Sequence, residues 1–369
     1  MSFEHVVIAG AGHAGGCAAG ALRAAGFAGR ITMIGIEAHP PYERPPLSKE
    51  LLAGYVPVEK AYLQPLDWYT QAGIDLQLGT EVLGIERSRQ KVYLSKGPRL
   101  HYDALLLTTG ARARTVPHLT QSDPRVFYVR DINDSLALRT WLRPNARVGV
   151  IGVGFIGLEI AATARKAGCT VVVLELADRP LSRAVPAEVG TYVAELHRRS
   201  GVELQLKSSV RAIGTDSTGR TLQTADGRRI EVDVVVIGIG AVPNTEVAAA
   251  SGLAVDDGVV VNQFGRTSDE HIFAAGDVTK HFNPILGRAV RLEAWQNAQN
   301  QAIAVAKVIA GGSDPFAEVP WLWTDQYDMN MRSPARRPSG IALCIAGIPL
   351  PRALPSFRCC RMRWSARSA

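Results

Sequence analysis

The segments richest in chemistry are two glycine loops, Gly10-Ala-Gly12-His-Ala-Gly15 and Gly152-Val-Gly154-Phe-Ile-Gly157. In such a loop the first glycine permits a tight strand-to-helix turn. The second lets backbone approach a pyrophosphate, and the third lets the helix pack on the strand. The helix that follows offers unpaired N–H groups and a positive dipole end to phosphate. Each loop is entered from a strand-like run, His5-Val-Val-Ile-Ala or Arg147-Val-Gly-Val-Ile. Each is also followed by a second strand and then an acid. One loop of this kind is weak evidence, but two in this setting point to two bound dinucleotides, FAD and a nicotinamide nucleotide.

The acids give the loops their selectivity. Glu37 lies just beyond the strand Arg30-Ile-Thr-Met-Ile-Gly, where a carboxylate accepts from the vicinal hydroxyls of the FAD adenosine ribose. Glu175 ends the strand Val171-Val-Val-Leu and faces the ribose of the second nucleotide. A carboxylate there accepts from the free 2′-hydroxyl of NADH and repels the 2′-phosphate of NADPH. Arg179 and Arg183 follow closely and temper that repulsion.

Around the loops the pattern alternates strand and helix. Helix 14–25 follows the first loop, and a Pro-rich segment from Pro40 to Lys49 leads into a helix-like Glu50-Leu-Leu-Ala. Strand signals recur at 74–78, 81–86 and 91–95, then in Asp103-Ala-Leu-Leu-Leu-Thr-Thr-Gly110-Ala. Asp134 to Leu142 reads as a helix before strand 147–151. Helix 158–167, strand 170–175, helix 187–199 and strands at 202–206, 208–213, 221–224 and 230–233 follow. Asp233-Val-Val-Val-Ile-Gly-Ile-Gly-Ala241 repeats the apolar-strand-then-glycine pattern of 103–111, which reads as one module copied and inserted into itself. A long helix spans roughly 294–310. The predicted fold class is α/β: two Rossmann-like dinucleotide-binding domains, the second inserted in the first. The expected boundaries are 1–112 and 241–316 for FAD, 113–240 for NAD, and 317–369 for the remnant of a C-terminal α+β domain.

Composition bounds the partners. The formal net charge is +7, yet residues 332–369 hold eight arginines and no Asp, Glu or Lys, so the preceding 331 residues stand at −1. The charge belongs to a tail and is not a nucleic-acid-binding face. No run approaches the ~18–20 apolar residues of a membrane helix, and no export signal opens the chain. The five cysteines show no metal spacing; Cys17 and Cys169 read as thiols of a reducing, cytoplasmic compartment.

Several longer segments carry a resemblance: Pro-Pro-Leu-Ser-Lys49, Ala-Ala-Gly-Asp277-Val, Leu-Glu293-Ala-Trp-Gln-Asn-Ala-Gln-Asn-Gln and Pro320-Trp-Leu-Trp-Thr-Asp-Gln-Tyr. Together with the loops, they resemble the FAD- and NADH-dependent ferredoxin reductases of multicomponent oxygenase systems over about residues 5–330. The resemblance implies that NADH reduces FAD, which passes single electrons to a small [2Fe-2S] ferredoxin and so to a terminal oxygenase, an aromatic-ring dioxygenase above all. It implies that Asp277 holds the ribityl chain, that Arg130 meets the pyrophosphate, and that Trp295 lies against the flavin at a helix N-terminus. Arg130 reads equally well as a surface residue, and Trp295 as a core one. Lys49 and Glu159 are implied to control charge at the flavin N5, and Ala14, Arg44, Val82, Phe155, Ile156 and Gly238 to complete the cofactor contacts. Relatives place an acid directly after the strand-end glycine, where Ile36 stands here, so Glu37 takes that role one residue late.

The Pro-Pro-Leu-Ser-Lys49 region has no cysteine, whereas disulfide reductases of this superfamily carry their redox pair there. Reduced flavin must then deliver electrons outward. After about Met331 the pattern departs from the resemblance. A one-base shift before Arg-Ser-Pro-Ala restores Gln-Ile-Ala-Gly, so a frameshift is the expectation. Residues 332–369 are expected to lack order, leaving Trp321 and Trp323 partly exposed. Two other readings stay open: a flavoprotein like apoptosis-inducing factor whose arginine tail binds nucleic acid or lipid, and an inactive truncated reductase.

Overall fold

In the computed structural model the described residues are 3–116, 119, 123–215, 219–334 and 344–346. They fall into two compact units. The first comprises Met1–Arg114, Arg130–Ser135 and Gly240–Pro320; the second comprises Thr115–Val129, Leu136–Ile239 and Trp321–Ala369. In chain order the elements that matter are β1 (His5–Ala9), α1 (His13–Ala24), β2 (Arg30–Gly35), β3 (Ile74–Leu78), β4 (Ala104–Leu107), β5 (Val126–Phe127) and α2 (Ile132–Arg139). Next come β6 (Arg147–Ile151), α3 (Phe155–Lys166), β7 (Thr170–Leu174), α4 (Ala187–Arg199), β8 (Val202–Gln205) and β9 (Val234–Ile237). The last are β10 (Ile272–Ala274), α5 (Trp295–Ile309), β11 (Trp321–Gln326), β12 (Met329–Pro334) and β13 (Cys344–Ala346).

Each unit is built on a five-stranded sheet, ordered β10-β4-β1-β2-β3 in the first and β8-β7-β6-β9-β5 in the second. All pairings in both sheets are parallel. The central strands are buried on both faces, which is why they read as unbroken Val/Ile/Leu runs. In the first unit Val6, Ile8, Met33, Leu106 and Phe273 pack under Ala18 and Leu22 of α1 and Ala302 and Val305 of α5. In the second, Val172, Leu174, Val235 and Ile237 pack against Leu222 and Val232 of the antiparallel sheet that covers them. Chain order reverses between β1 and β4, and again between β6 and β9, and both glycine loops leave these switch points. Open parallel sheets bind their ligands there.

The chain leaves the first unit after Arg114 and re-enters it at Gly240, and the backbone N–H of Arg114 donates to the carbonyl of Gly240 at 2.9 Å. Arg130–Ser135 belongs with the first unit, and the β11–β12 hairpin with the second.

Three local expectations need correction. Glu50–Ala53 is a run of turns, preceded by a 3₁₀ segment at Pro45–Ser48, because Lys49 (φ −124°, ψ −112°) leaves helical geometry. Helix α2 starts two residues before Asp134. Asp131 and Asp134 cap it reciprocally: the Asp134 carboxylate accepts from the Asp131 N–H, and Asp131 accepts from the Asp134 N–H at 2.8 Å. The arginine-rich tail is ordered further than its composition predicts. Arg332–Pro334 completes β12, and Cys344–Ala346 pairs with it. Met329, Met331 and Ser333 are buried while Arg332 is exposed, a period-2 pattern short enough to be masked by its neighbours. The rest of the expected tail, 335–343 and 347–369, lies outside the described residues. Trp321 and Trp323 are half-buried, with ring centroids 5.9 Å apart.

Candidate functional site

The glycines of the two loops separate into those the protein itself requires and those it does not. Gly10 (φ +126°) has its absent Cβ 2.2 Å from the Thr108 carbonyl oxygen, and that of Gly15 is 2.0 Å from the Gly10 oxygen. In the second unit Gly152 (φ +106°) meets the Gly238 oxygen at 2.3 Å, and Gly157 meets the Gly152 oxygen at 2.4 Å. Any side chain at these four positions collides with backbone. At Gly12 and Gly154 the nearest atoms stand 4.0 and 3.8 Å away, so packing alone does not require glycine there. What such an open position suits is a ligand's backbone-hugging phosphates. Neither α1 nor α3 has a side-chain cap or an acid in its first turn, which leaves their N-termini to an incoming anion.

In the first unit the candidate residues form a connected charged set. Glu37 accepts from the Tyr42 hydroxyl at 2.5 Å and from Arg44 at 2.6 Å, and Arg44 also donates to the Arg130 carbonyl at 2.5 Å. The neighbouring Ile36 is 66% exposed and makes no part of this set. Arg130 in turn faces Asp277 at 3.5 Å, and its Nε is buried without a hydrogen-bond partner. Burial pushes the Asp277 carboxyl up, and Arg130 opposes that shift. Ala14 is buried under Gly276. Trp295 is the first residue of α5, and its ring lies 5.2 Å from the imidazole of His13. Lys49 is half-buried in the same unit, with its ammonium 3.4 Å from the Pro45 carbonyl. Val82 differs from the rest: its side chain is buried among Leu100, Tyr102 and Leu105, so only its backbone is left to meet a ligand.

The open cradle, the uncapped helix end and the orphaned guanidinium Nε of Arg130 fit an FAD pyrophosphate. Cys17, on α1, is held in its thiol form: burial, with the Glu43 carboxylate, pushes it up to about 11.

In the second unit the Glu175 carboxylate turns back on the glycine loop. It accepts from the Val153 N–H at 3.0 Å and from the Ala177 N–H at 2.7 Å. Two acceptor positions are used, and a carboxylate has about four, so capacity for a ribose diol remains. Phe155 is half-buried and Ile156 is 44% exposed at the start of α3, while Gly238 closes the loop from β9. Arg179 is engaged with Asp178 and the Ser182 carbonyl, whereas Arg183 is exposed. These residues fit a nicotinamide dinucleotide. Glu159, on α3, is 5% exposed and accepts from the Thr324 hydroxyl at 2.6 Å.

Sequence reasoning missed Tyr42, His13 and Thr324. Tyr42 sits in the Pro-rich segment with no periodic signal. Thr324 belongs to a motif noted only for its tryptophans. His13 fills a variable position of the loop, where burial and Arg44 push its imidazole down to about 4, so it is neutral.

Residues 4–302 match the family model of pyridine nucleotide-disulphide oxidoreductases. The ferredoxin–NAD(+) reductase component of the anthranilate 1,2-dioxygenase system of Burkholderia cepacia is 45% identical over 349 residues, covering 95% of this chain and 86% of that protein. Putidaredoxin reductase of Pseudomonas putida is 39% identical over 336 residues, covering 89% and 79% respectively. The crystal structure of a covalent putidaredoxin reductase–putidaredoxin complex superposes with a TM-score of 0.87 at 38% identity, covering 92% of this chain and 82% of that one. A family model spanning most of the chain, on two glycine loops that the fold independently requires, makes the protein an oxidoreductase of the pyridine nucleotide-disulphide oxidoreductase family, whose members use FAD and NAD(P)H.

Proposed function

We propose that this protein is the ferredoxin–NAD(+) reductase of an oxygenase system, and that the oxygenase is an aromatic-ring-hydroxylating dioxygenase. The observation that carries the reading is the pairing of two glycine loops with two differently held carboxylates, Glu37 and Glu175. In this reading the first unit holds FAD. Gly12 and the α1 N-terminus receive the pyrophosphate with Arg44 and Arg130, Glu37 accepts from the adenosine ribose, and Asp277 accepts from the ribityl chain. The second unit holds NADH through Gly154, the α3 N-terminus and Glu175. When bound, FAD takes two electrons from NADH together and releases them singly. Lys49 and Glu159 set the charge around the reacting flavin atom. They give no proton to the nicotinamide carbon, because its oxidation needs none. Trp295, at the N-terminus of α5, lies against the isoalloxazine, and the helix dipole favours negative charge there.

Two of the similar proteins are named as the reductase component of an anthranilate 1,2-dioxygenase system and as a putidaredoxin reductase, and the first of these supports the aromatic-ring oxygenase. The test is turnover of the full chain with FAD, NADH and a [2Fe-2S] ferredoxin from an aromatic-ring dioxygenase, set against a ferredoxin of a haem monooxygenase. Ferredoxin-dependent reduction of cytochrome c, faster with the dioxygenase ferredoxin, is the expected result. Flavin reduction by NADH without transfer to either ferredoxin overturns the reading.

A further inference from the structure

Glu159 lies at the end of a buried line of hydrogen bonds inside the second unit. The Thr324 hydroxyl donates to its carboxylate at 2.6 Å, and the Gln326 amide donates to the Thr324 oxygen at 3.1 Å. The Gln326 carbonyl oxygen pairs with His197 Nε2 at 2.8 Å, and the Tyr327 hydroxyl stands 3.4 Å from His197 Nδ1. Glu159, Thr324, Gln326 and His197 are each at most 5% exposed.

The chemistry of each group leaves one assignment. A carboxylate only accepts, so the Thr324 hydroxyl must donate to it. Thr324 then accepts from the Gln326 NH₂, which turns the Gln326 oxygen toward His197. Nε2 of His197 therefore carries the proton, and Nδ1 accepts from Tyr327. Burial pushes the His197 imidazole down, which agrees with this neutral tautomer. All four donors point one way, toward Glu159. Aligned donors polarise one another.

Strand geometry explains why β11 can do this. Thr324 and Gln326 are two residues apart and share a face, continued across the hairpin by the buried Met331 and Met329, while Asp325 points to solvent.

From this arrangement we infer that Thr324 is a positioning residue for electron entry: backed by Gln326 and His197, it fixes the Glu159 carboxylate in the one orientation the reaction uses. The inference rests on the proposed role of Glu159 beside the reacting cofactors. It makes the β11 strand, which lies beyond the family match, part of the nicotinamide machinery.

The experiment is stopped-flow reduction of the FAD-loaded protein by NADH at saturation, with flavin content and NADH affinity measured alongside. Four proteins enter besides the unmodified one: Thr324→Val, Thr324→Ser, Glu159→Gln and the Glu159→Gln/Thr324→Val double variant. Thr324→Val should slow the limiting rate roughly tenfold, the scale of one lost hydrogen bond to a charged group, with NADH affinity unchanged. Thr324→Ser should restore the rate to within about twofold, since it keeps the donor. The double variant should be no slower than Glu159→Gln alone, because coupled residues lose their effect once. An unchanged rate in Thr324→Val, or a full additional loss in the double variant, overturns the inference while leaving Glu159 in place. An unchanged rate in Glu159→Gln removes Glu159 from the reaction, and the inference with it. Should Thr324→Val fail to retain FAD, Gln326→Met keeps the hydroxyl, removes the donor behind it and is expected to lose about threefold; no loss there is equally fatal.

Discussion

The two glycine loops have the same backbone logic and differently held charges. Around the first, Glu37 is gripped by Arg44 and Tyr42, and Arg130 faces Asp277, so fixed charges of both signs already surround the cradle. Around the second, the first turn of the helix presents Phe155 and an exposed Ile156, and the carboxylate of Glu175 is turned on backbone N–H groups of Val153 and Ala177. Preorganised ion pairs suit a ligand that stays bound, since their desolvation is met once on folding. A carboxylate that exchanges backbone donors for ribose hydroxyls suits one that enters and leaves with every turnover. The contrast suits the proposed division between a flavin that stays and a nicotinamide nucleotide that passes.

Acid should give the largest effect, on the first unit through His13 and His281 and on the second through His197, which burial also pushes down. His13 and His281 belong to the first unit, and burial pushes each down to about 4, with Arg44 adding to the effect on His13. The unfolded chain protonates these imidazoles near pH 6.5. Between about pH 6.5 and 4 it therefore binds protons that the folded unit does not, and stability falls as pH falls. Each histidine contributes on the order of 3 kcal/mol by pH 4. Thermal melts followed by flavin fluorescence, which reports the first unit, should shift down across this window. A midpoint unchanged between pH 7 and 4 contradicts the buried neutral histidines.

Next in size is the difference between required and permissive glycines. Gly10→Ala combines a positive φ with a backbone collision and should cost about 3 kcal/mol or more of stability, with loss of FAD. Gly154→Ala meets nothing closer than 3.8 Å and should change stability by less than about 0.5 kcal/mol while weakening NADH binding. Melting temperatures beside NADH titrations decide the matter; equal destabilisation by both would erase the distinction.

The two carboxylates should also respond differently. Glu37→Ala leaves Arg44 half-buried without its carboxylate partner and should lower FAD retention and cost about 2 kcal/mol of stability. Glu175→Ala should leave stability nearly intact and reduce kcat/KM for NADH by about 1–2 kcal/mol in transition-state binding, with NADPH less affected. Equal losses with both nucleotides would show that Glu175 does not read the ribose.

The sequence alone determined the features whose signal is local. The loops, the apolar strands that enter them, helix α1 and helix α5 follow from glycine spacing and from 2.0 and 3.6 periodicities that neighbouring residues carry. The acids after the second strands are legible for the same reason, since strand length places them at the carboxyl edge. Tertiary structure decided which polar groups meet. Arg130 reaches Asp277 across 147 positions and Thr324 reaches Glu159 across 165, and no spacing rule selects either partner. The Val82 side chain belongs to the core, which leaves its backbone for the cofactor contact, because the face a strand residue shows depends on the sheet packed against it. A hydrogen bond needs its two atoms within about 3 Å, and at such separations along the chain only the folded path of the backbone decides which pairs come that close.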